Sequence, residues 1–88
     1  MKITVLENEK DKLKIEVDGS LTLVNLLNEN VWKQSGVDVS SYKVEHPYLT
    51  KPVLLVRSKN PKKALLDAAA QIVDDIEELR RKVEKEFK

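Results

Sequence analysis

The sequence predicts a two-layer α+β domain in the order ββαββα, with a mainly antiparallel four-stranded sheet and two helices on one of its faces. Three observations favour this fold: an alternating strand pattern near the N-terminus, two amphipathic helical segments, and a last third without Gly or Pro after Pro61. The 88 residues are enough for one domain with one modest core, so we treat residues 1–88 as a single domain.

The first two strands are predicted to form a hairpin. The first surrounds Ile3 and Val5, and a polar turn follows it. In the second, Leu13, Ile15 and Val17 alternate with charged residues. This period of two indicates a strand with one face in the core and the other in solvent.

A first helix is predicted from about Leu21 to Gln34, with Ser20 or Thr22 as its N-cap and Gly36 as the stop signal. Its apolar residues cover more than half of the helix circumference, which is wider than a single core requires. Two explanations remain open, a larger local core or a second surface that faces another chain. The residues concerned are Leu23, Val24, Leu26, Leu27, Val31 and Trp32.

Two further strands are predicted before the last helix. The third runs from Val37 to His46, and a change in its apolar phase indicates a bulge near Ser40–Ser41. A loop follows from Pro47 to Pro52. The apolar run Val53–Val56 is then predicted to be a strand that is buried on both faces.

A long final helix is predicted from Pro61 to Lys88, with Asn60 as its N-cap. At 1.5 Å per residue it measures about 40 Å, whereas strands of this size give a sheet only about 20–25 Å deep. The sheet should therefore cover the apolar stripe only as far as about Ile76. The apolar residues beyond Ile76 indicate that a second protein surface covers the end of the helix; the alternative is a solvated tail. The full stripe is Leu65, Ala69, Ile72, Ile76, Leu79, Val83 and Phe87.

Composition and motifs disfavour several functions. The 16 basic and 15 acidic residues nearly balance and alternate along the last helix, so no dense basic track for phosphates is expected. The absence of cysteine excludes disulfides, thiol nucleophiles and thiolate metal sites. His46 is the only histidine, and no phosphate-binding or hydrolase motif accompanies it. We expect no catalytic, metal or cofactor site, and the lack of a long apolar run predicts a cytoplasmic protein.

Two motifs carry a resemblance to a known family. The segment Leu-Thr-Leu-Val-Asn-Leu-Leu at 21–27, followed by Tyr-Lys-Val-Glu-His-Pro at 42–47, resembles the archaeal RNA polymerase subunit L family. That family is similar to its eukaryotic counterparts and to the dimerisation part of the bacterial alpha subunit. The resemblance spans nearly the whole chain. Leu21 stands where the family often has histidine.

The resemblance implies a non-catalytic subunit of DNA-directed RNA polymerase. Such a subunit pairs through helices with the D-type subunit of the polymerase, and the heterodimer is a platform for the large and the small zinc-binding subunits. Neither direct nucleic-acid contact nor membrane association is implied. By position, the candidate interface residues are Leu23, Asn25, Leu26, Leu27, Val31, Ile72, Ile76, Leu79, Val83 and Phe87.

Two alternatives remain open. The first is a self-associating module whose long helices form an antiparallel pair. The second is a small RNA-binding domain that uses a strand face with Tyr42, Lys43 and Arg57.

Overall fold

The computed structural model, which describes residues 2–44 and 51–87, contains the predicted elements in the predicted order. All neighbouring strands are antiparallel, and their order in the sheet is β1-β2-β4-β3. The predicted α+β fold with a long last helix is confirmed. The elements are β1 (Lys2–Asn8), β2 (Lys12–Asp18), α1 (Leu21–Trp32), β3 (Val37–Lys43), β4 (Val53–Ser58) and α2 (Pro61–Glu86).

The core lies between the sheet and the two helices. Helix α1 packs over β3 and β4, and α2 packs over β4 and β2. In the central strands every second residue faces the helices, and cross-strand pairs such as Ile15 with Leu54 bring those residues together. The buried apolar cluster consists of Leu13, Ile15, Val17, Val24, Val31, Leu54, Val56 and Ala68.

The prediction that β4 is buried on both faces is corrected. Leu54 and Val56 are buried against the helices, but Val53 and Leu55 on the other face are only half-buried. Because both helices pack on the other side of the sheet, neither of them covers this face of β4.

Strand β3 begins at Val37 as predicted, but its end and the position of its irregularity differ from the prediction. It ends at Lys43, and His46, which the predicted strand includes, lies outside the described residues. The irregularity in pairing falls between Val37 and Val39 rather than at Ser40–Ser41. This shift turns Ser40 toward α1, where it is buried and its hydroxyl donates to Asn28 Oδ1.

Helix α1 is two residues shorter than predicted. Ser20 occupies the N-cap position, but its side chain makes no capping bond, and Thr22 lies inside the helix. The helix ends when Lys33 N–H donates to the carbonyl of Asn30 at 3.2 Å. Gly36 therefore does not stop the helix; its φ of 79° serves the turn into β3.

Helix α2 begins as predicted. Pro61 is buried in the first turn, and Asn60 Oδ1 accepts a hydrogen bond from Lys63 N–H at 3.2 Å. The 26 residues of the helix correspond to about 39 Å.

Coverage of α2 by the sheet ends one turn earlier than predicted. Ile72 is 8% exposed, but Ile76, which was expected to be covered, is 56% exposed. The inward face is formed by Ala64, Ala68 and Ile72 with Leu65 at its margin, whereas Ala69 is exposed.

Candidate partner interface

The second half of α2 extends beyond the core and exposes an apolar stripe. Every described residue after Ile72 is exposed. Ile76, Leu79, Val83 and Phe87 follow one another at steps of three and four, so they share one side of the helix. That side continues the face that Ala68 and Ile72 bury upstream. The prediction that the helix outruns its own sheet is confirmed.

Helix α1 contributes to the same surface. Leu26 lies beside Ile72, Ile76 and Leu79 around a shallow cavity of about 130 Å³, with Asp75 at its rim. Leu26 is itself partly exposed, so the apolar surface of α2 extends onto α1. We call this surface the helix stripe and define it as Leu26, Ile72, Ile76, Leu79, Val83 and Phe87.

Charged residues flank the stripe and pair with one another along the helix. Arg80 lies 3.8 Å from Glu77 and 3.1 Å from Glu84, and Lys82 lies 3.1 Å from Glu78. Exposed pairs of this kind contribute only about 0.3–0.5 kcal/mol each. They give the polar sides of α2 a mixed charge, so the stripe is the feature that distinguishes one side of the helix from the others.

The predicted interface residues do not all lie on this surface. Leu23 and Leu27 are half-buried between the helix stripe and the core. Asn25 is exposed but lies about 100° around α1 from Leu26, so it faces a different direction. Val31 is fully buried in the chain's own core and has no surface to offer a partner.

Three residues outside the predicted interface are notable here. Asn30 is buried, its Nδ2 donates to the carbonyl of Leu26 at 2.9 Å, and its Oδ1 has no hydrogen-bond partner within the described parts of the chain. The sequence signal for this buried residue was the presence of a polar side chain within the apolar pattern of α1. Ile3 and Val5 are exposed at the sheet edge, a position that depends on the strand order.

The family's histidine position lies outside the helix stripe. Leu21, which replaces that histidine, is half exposed at the start of α1. It lines a separate cavity of about 250 Å³ together with Val17, Val44 and Pro52. Leu21 thus adds an apolar side chain at the end of the sheet rather than at the helix stripe.

The described residues offer neither a metal cluster nor a membrane span. Within 2–44 and 51–87, no group of three or more His, Cys, Asp or Glu side chains is arranged to hold a metal ion. None of the helices described combines the length and the apolar character needed to cross a membrane.

An α+β domain that leaves an apolar stripe on half of its longest helix uncovered is typical of a protein that binds another chain. Residues 12–82 match the family model for the RNA polymerase Rpb3/Rpb11 dimerisation domain. The chain therefore belongs to the RNA polymerase Rpb3/Rpb11 dimerisation domain family, as the resemblance of its motifs indicated.

Archaeal polymerase subunits are similar to the chain over most of its length. It is 31% identical to DNA-directed RNA polymerase subunit Rpo11 of Methanothermobacter thermautotrophicus, over 91% of this chain and 95% of the relative. It is 33% identical to the Rpo11 subunit of Saccharolobus islandicus, over 92% and 100%. The crystal structure of DNA-directed RNA polymerase subunit L from Thermoplasma acidophilum superposes with a TM-score of 0.87 at 29% identity, covering 98% of this chain and 88% of that one. By family, this is a dimerisation subunit of a nucleotidyltransferase complex rather than its catalytic part.

Proposed function

We propose that this chain is the subunit L of an archaeal RNA polymerase and that it pairs with the D-type subunit of that polymerase through α1 and α2. The heterodimer then serves as the platform on which the large subunits and the small zinc-binding subunits assemble in the cytoplasm. The chain itself makes no direct contact with nucleic acid. The names of its relatives and the similarity to a solved subunit L support this assignment.

The observation that carries the proposal is the exposed helix stripe. Burying a large apolar side chain stabilises a complex by about 1.5–3 kcal/mol, and the stripe offers several of them on one continuous surface. Leu79 and Val83 lie in the middle of the stripe, and Ile76 lies between them and the buried core. The sheet covers the inward side of α2 from Ala64 to Ile72, and a partner that covers the helix stripe would bury the rest of that side.

The half-buried Leu23 and Leu27 of α1 lie next to the helix stripe. Leu27 packs against the buried cluster, and Leu26, the preceding residue, reaches the cavity beside α2. A helix of the partner that lies across this cavity therefore contacts both helices at once. We assign Leu23 and Leu27 to the margin of the interface and the helix stripe to its centre.

A pull-down from the source organism tests the assignment. The tagged chain, expressed at native level, is expected to recover a D-type chain together with the large polymerase subunits, identified by mass spectrometry. A tagged Leu79→Asp variant serves as the control, because it retains the fold but loses the centre of the stripe. Recovery of the wild-type chain without any large polymerase subunit would contradict the proposal.

The alternative of a self-associating module is tested by the mass of the purified chain in solution. Light scattering of the purified chain distinguishes a monomer of 10.1 kDa from a dimer of twice that mass. We expect a D-type chain to displace any weak self-association. A homodimer that persists at micromolar concentration in the presence of the D-type chain would favour the antiparallel helix pair instead.

A further inference from the structure

Two apolar residues of β1 lie beside the core without being covered. In the antiparallel register Ile3 pairs with Val17 and Val5 pairs with Ile15, so all four side chains point to the helix side of the sheet. Val17 and Ile15 are each 2% exposed, whereas Ile3 is 52% and Val5 is 57% exposed. The chain's own helices therefore stop short of the outermost strand on their side of the sheet.

The position of α2 explains this gap. Lys63 and Asp67 line a cavity with Gln34 and Gly36, so that flank of α2 is turned toward α1 and β3. Ala69 lies about 160° around the helix from Asp67. Because the strand order is β1-β2-β4-β3 and α1 covers the β3 side, the flank of Ala69 is on the β1 side of α2.

Leu65 lies on the flank of Ala69 and is half-buried at the edge of the core. The exposed side chains of β1 and this flank of α2 lie on the same side of the sheet, and neither is covered by α1. We call this surface the β1 groove and define it as Ile3, Val5, Leu65 and Ala69.

We propose that the β1 groove receives the protruding C-terminal half of the partner's long helix. The proposal rests on the function proposed above, in which the partner is a D-type chain. The family to which the chain belongs is the Rpb3/Rpb11 dimerisation domain. We take the D-type chain to be the Rpb3-type member of the pair, so that the two partners share one fold. Two like domains related by a two-fold axis make reciprocal contacts, so each receives the element that it also inserts.

The dimensions of the groove fit this occupant. A strand of seven residues such as β1 is about 23 Å long. The uncovered part of a helix like α2, from Val73 to Glu86, is about 21 Å long. Packed helices lie about 8–10 Å apart, which is about two strand spacings, so a helix placed next to α2 over the sheet lies above β1.

The absence of cysteine from the sequence allows a direct test by site-specific thiol labelling. Val5→Cys and Ile3→Cys are each treated with a water-soluble thiol reagent, alone and with a saturating D-type chain, and the labelling of this chain is followed by mass spectrometry. We expect the partner to slow labelling about tenfold or more at both positions. Thr4→Cys is the matched control, because Thr4 pairs with Glu16 on the opposite face and stays reactive.

The outcomes separate this inference from the proposed function. A heterodimer that forms while Val5→Cys and Ile3→Cys remain reactive would overturn the inference and leave the pairing with the D-type chain intact. Failure of all three variants and the wild-type chain to form a heterodimer would overturn both. Protection of Val5→Cys in the isolated chain that rises with concentration would show a second copy as the occupant, and would also overturn the inference.

Discussion

Replacing Leu79 by aspartate is expected to weaken binding of the D-type chain about 100-fold or more. The substitution removes an apolar side chain worth about 1.5–3 kcal/mol and places a carboxylate without a partner in the buried interface. Each 1.4 kcal/mol corresponds to a tenfold change in affinity, so the two effects together exceed two orders of magnitude. Titration calorimetry with the purified D-type chain measures the loss.

Leu66→Asp is the matched control for this variant. Leu66 and Leu79 are both 61% exposed on the same helix, but they lie about 140° apart around its axis. The two substitutions therefore change helix propensity and charge alike, and only Leu79 belongs to the helix stripe. We expect Leu66→Asp to change the affinity by less than about threefold. Equal losses for the two variants would remove the helix stripe from the interface.

Replacing Leu54 by alanine is expected to lower the free energy of unfolding by about 2–5 kcal/mol. Leu54 is fully buried in the central strand β4, between Ile15 of β2 and Tyr42 of β3. Truncation leaves a cavity in the core of a small domain, whose total stability is typically about 5–15 kcal/mol. Urea denaturation followed by circular dichroism measures the loss.

Leu55→Ala tests whether the core lies on one side of the sheet only. Leu55 is the next residue of the same strand, but it is half-buried on the face opposite the helices, across from Lys14 and Ser41. Because the half-buried Leu55 buries less apolar area than Leu54 does, we expect its truncation to lower the free energy of unfolding by less than about 1.5 kcal/mol. A loss as large as that of Leu54→Ala would contradict the two-layer arrangement.

The parts of the fold that follow from local periodicity were predicted from the sequence. The alternation in β2 placed Leu13, Ile15 and Val17 on one face, and Asn60 with Pro61 fixed the start of α2. The length of α2 against the depth of the sheet also predicted an uncovered apolar end. These predictions depend only on residue spacing and on the rise per residue, which tertiary contacts do not alter.

The parts that depend on strand order and on helix placement were not predictable in this way. Ile3 has the spacing of a core residue, and its exposure follows only from the edge position of β1. Val31 belongs to the same apolar pattern as Leu26, yet one is buried and the other is partly exposed. A wide apolar pattern on α1 does not distinguish the side that meets the sheet from the side that meets α2.

Hydrogen–deuterium exchange across α2 tests most directly the claim that the end of this helix is completed by a partner. In the isolated chain, amides from residue 73 to residue 86 are expected to exchange rapidly, because a helical end without packing is marginally stable in water. In the heterodimer with the D-type chain, the same amides are expected to exchange about 100-fold or more slowly. Unchanged exchange of these amides in a fully formed heterodimer would contradict the account.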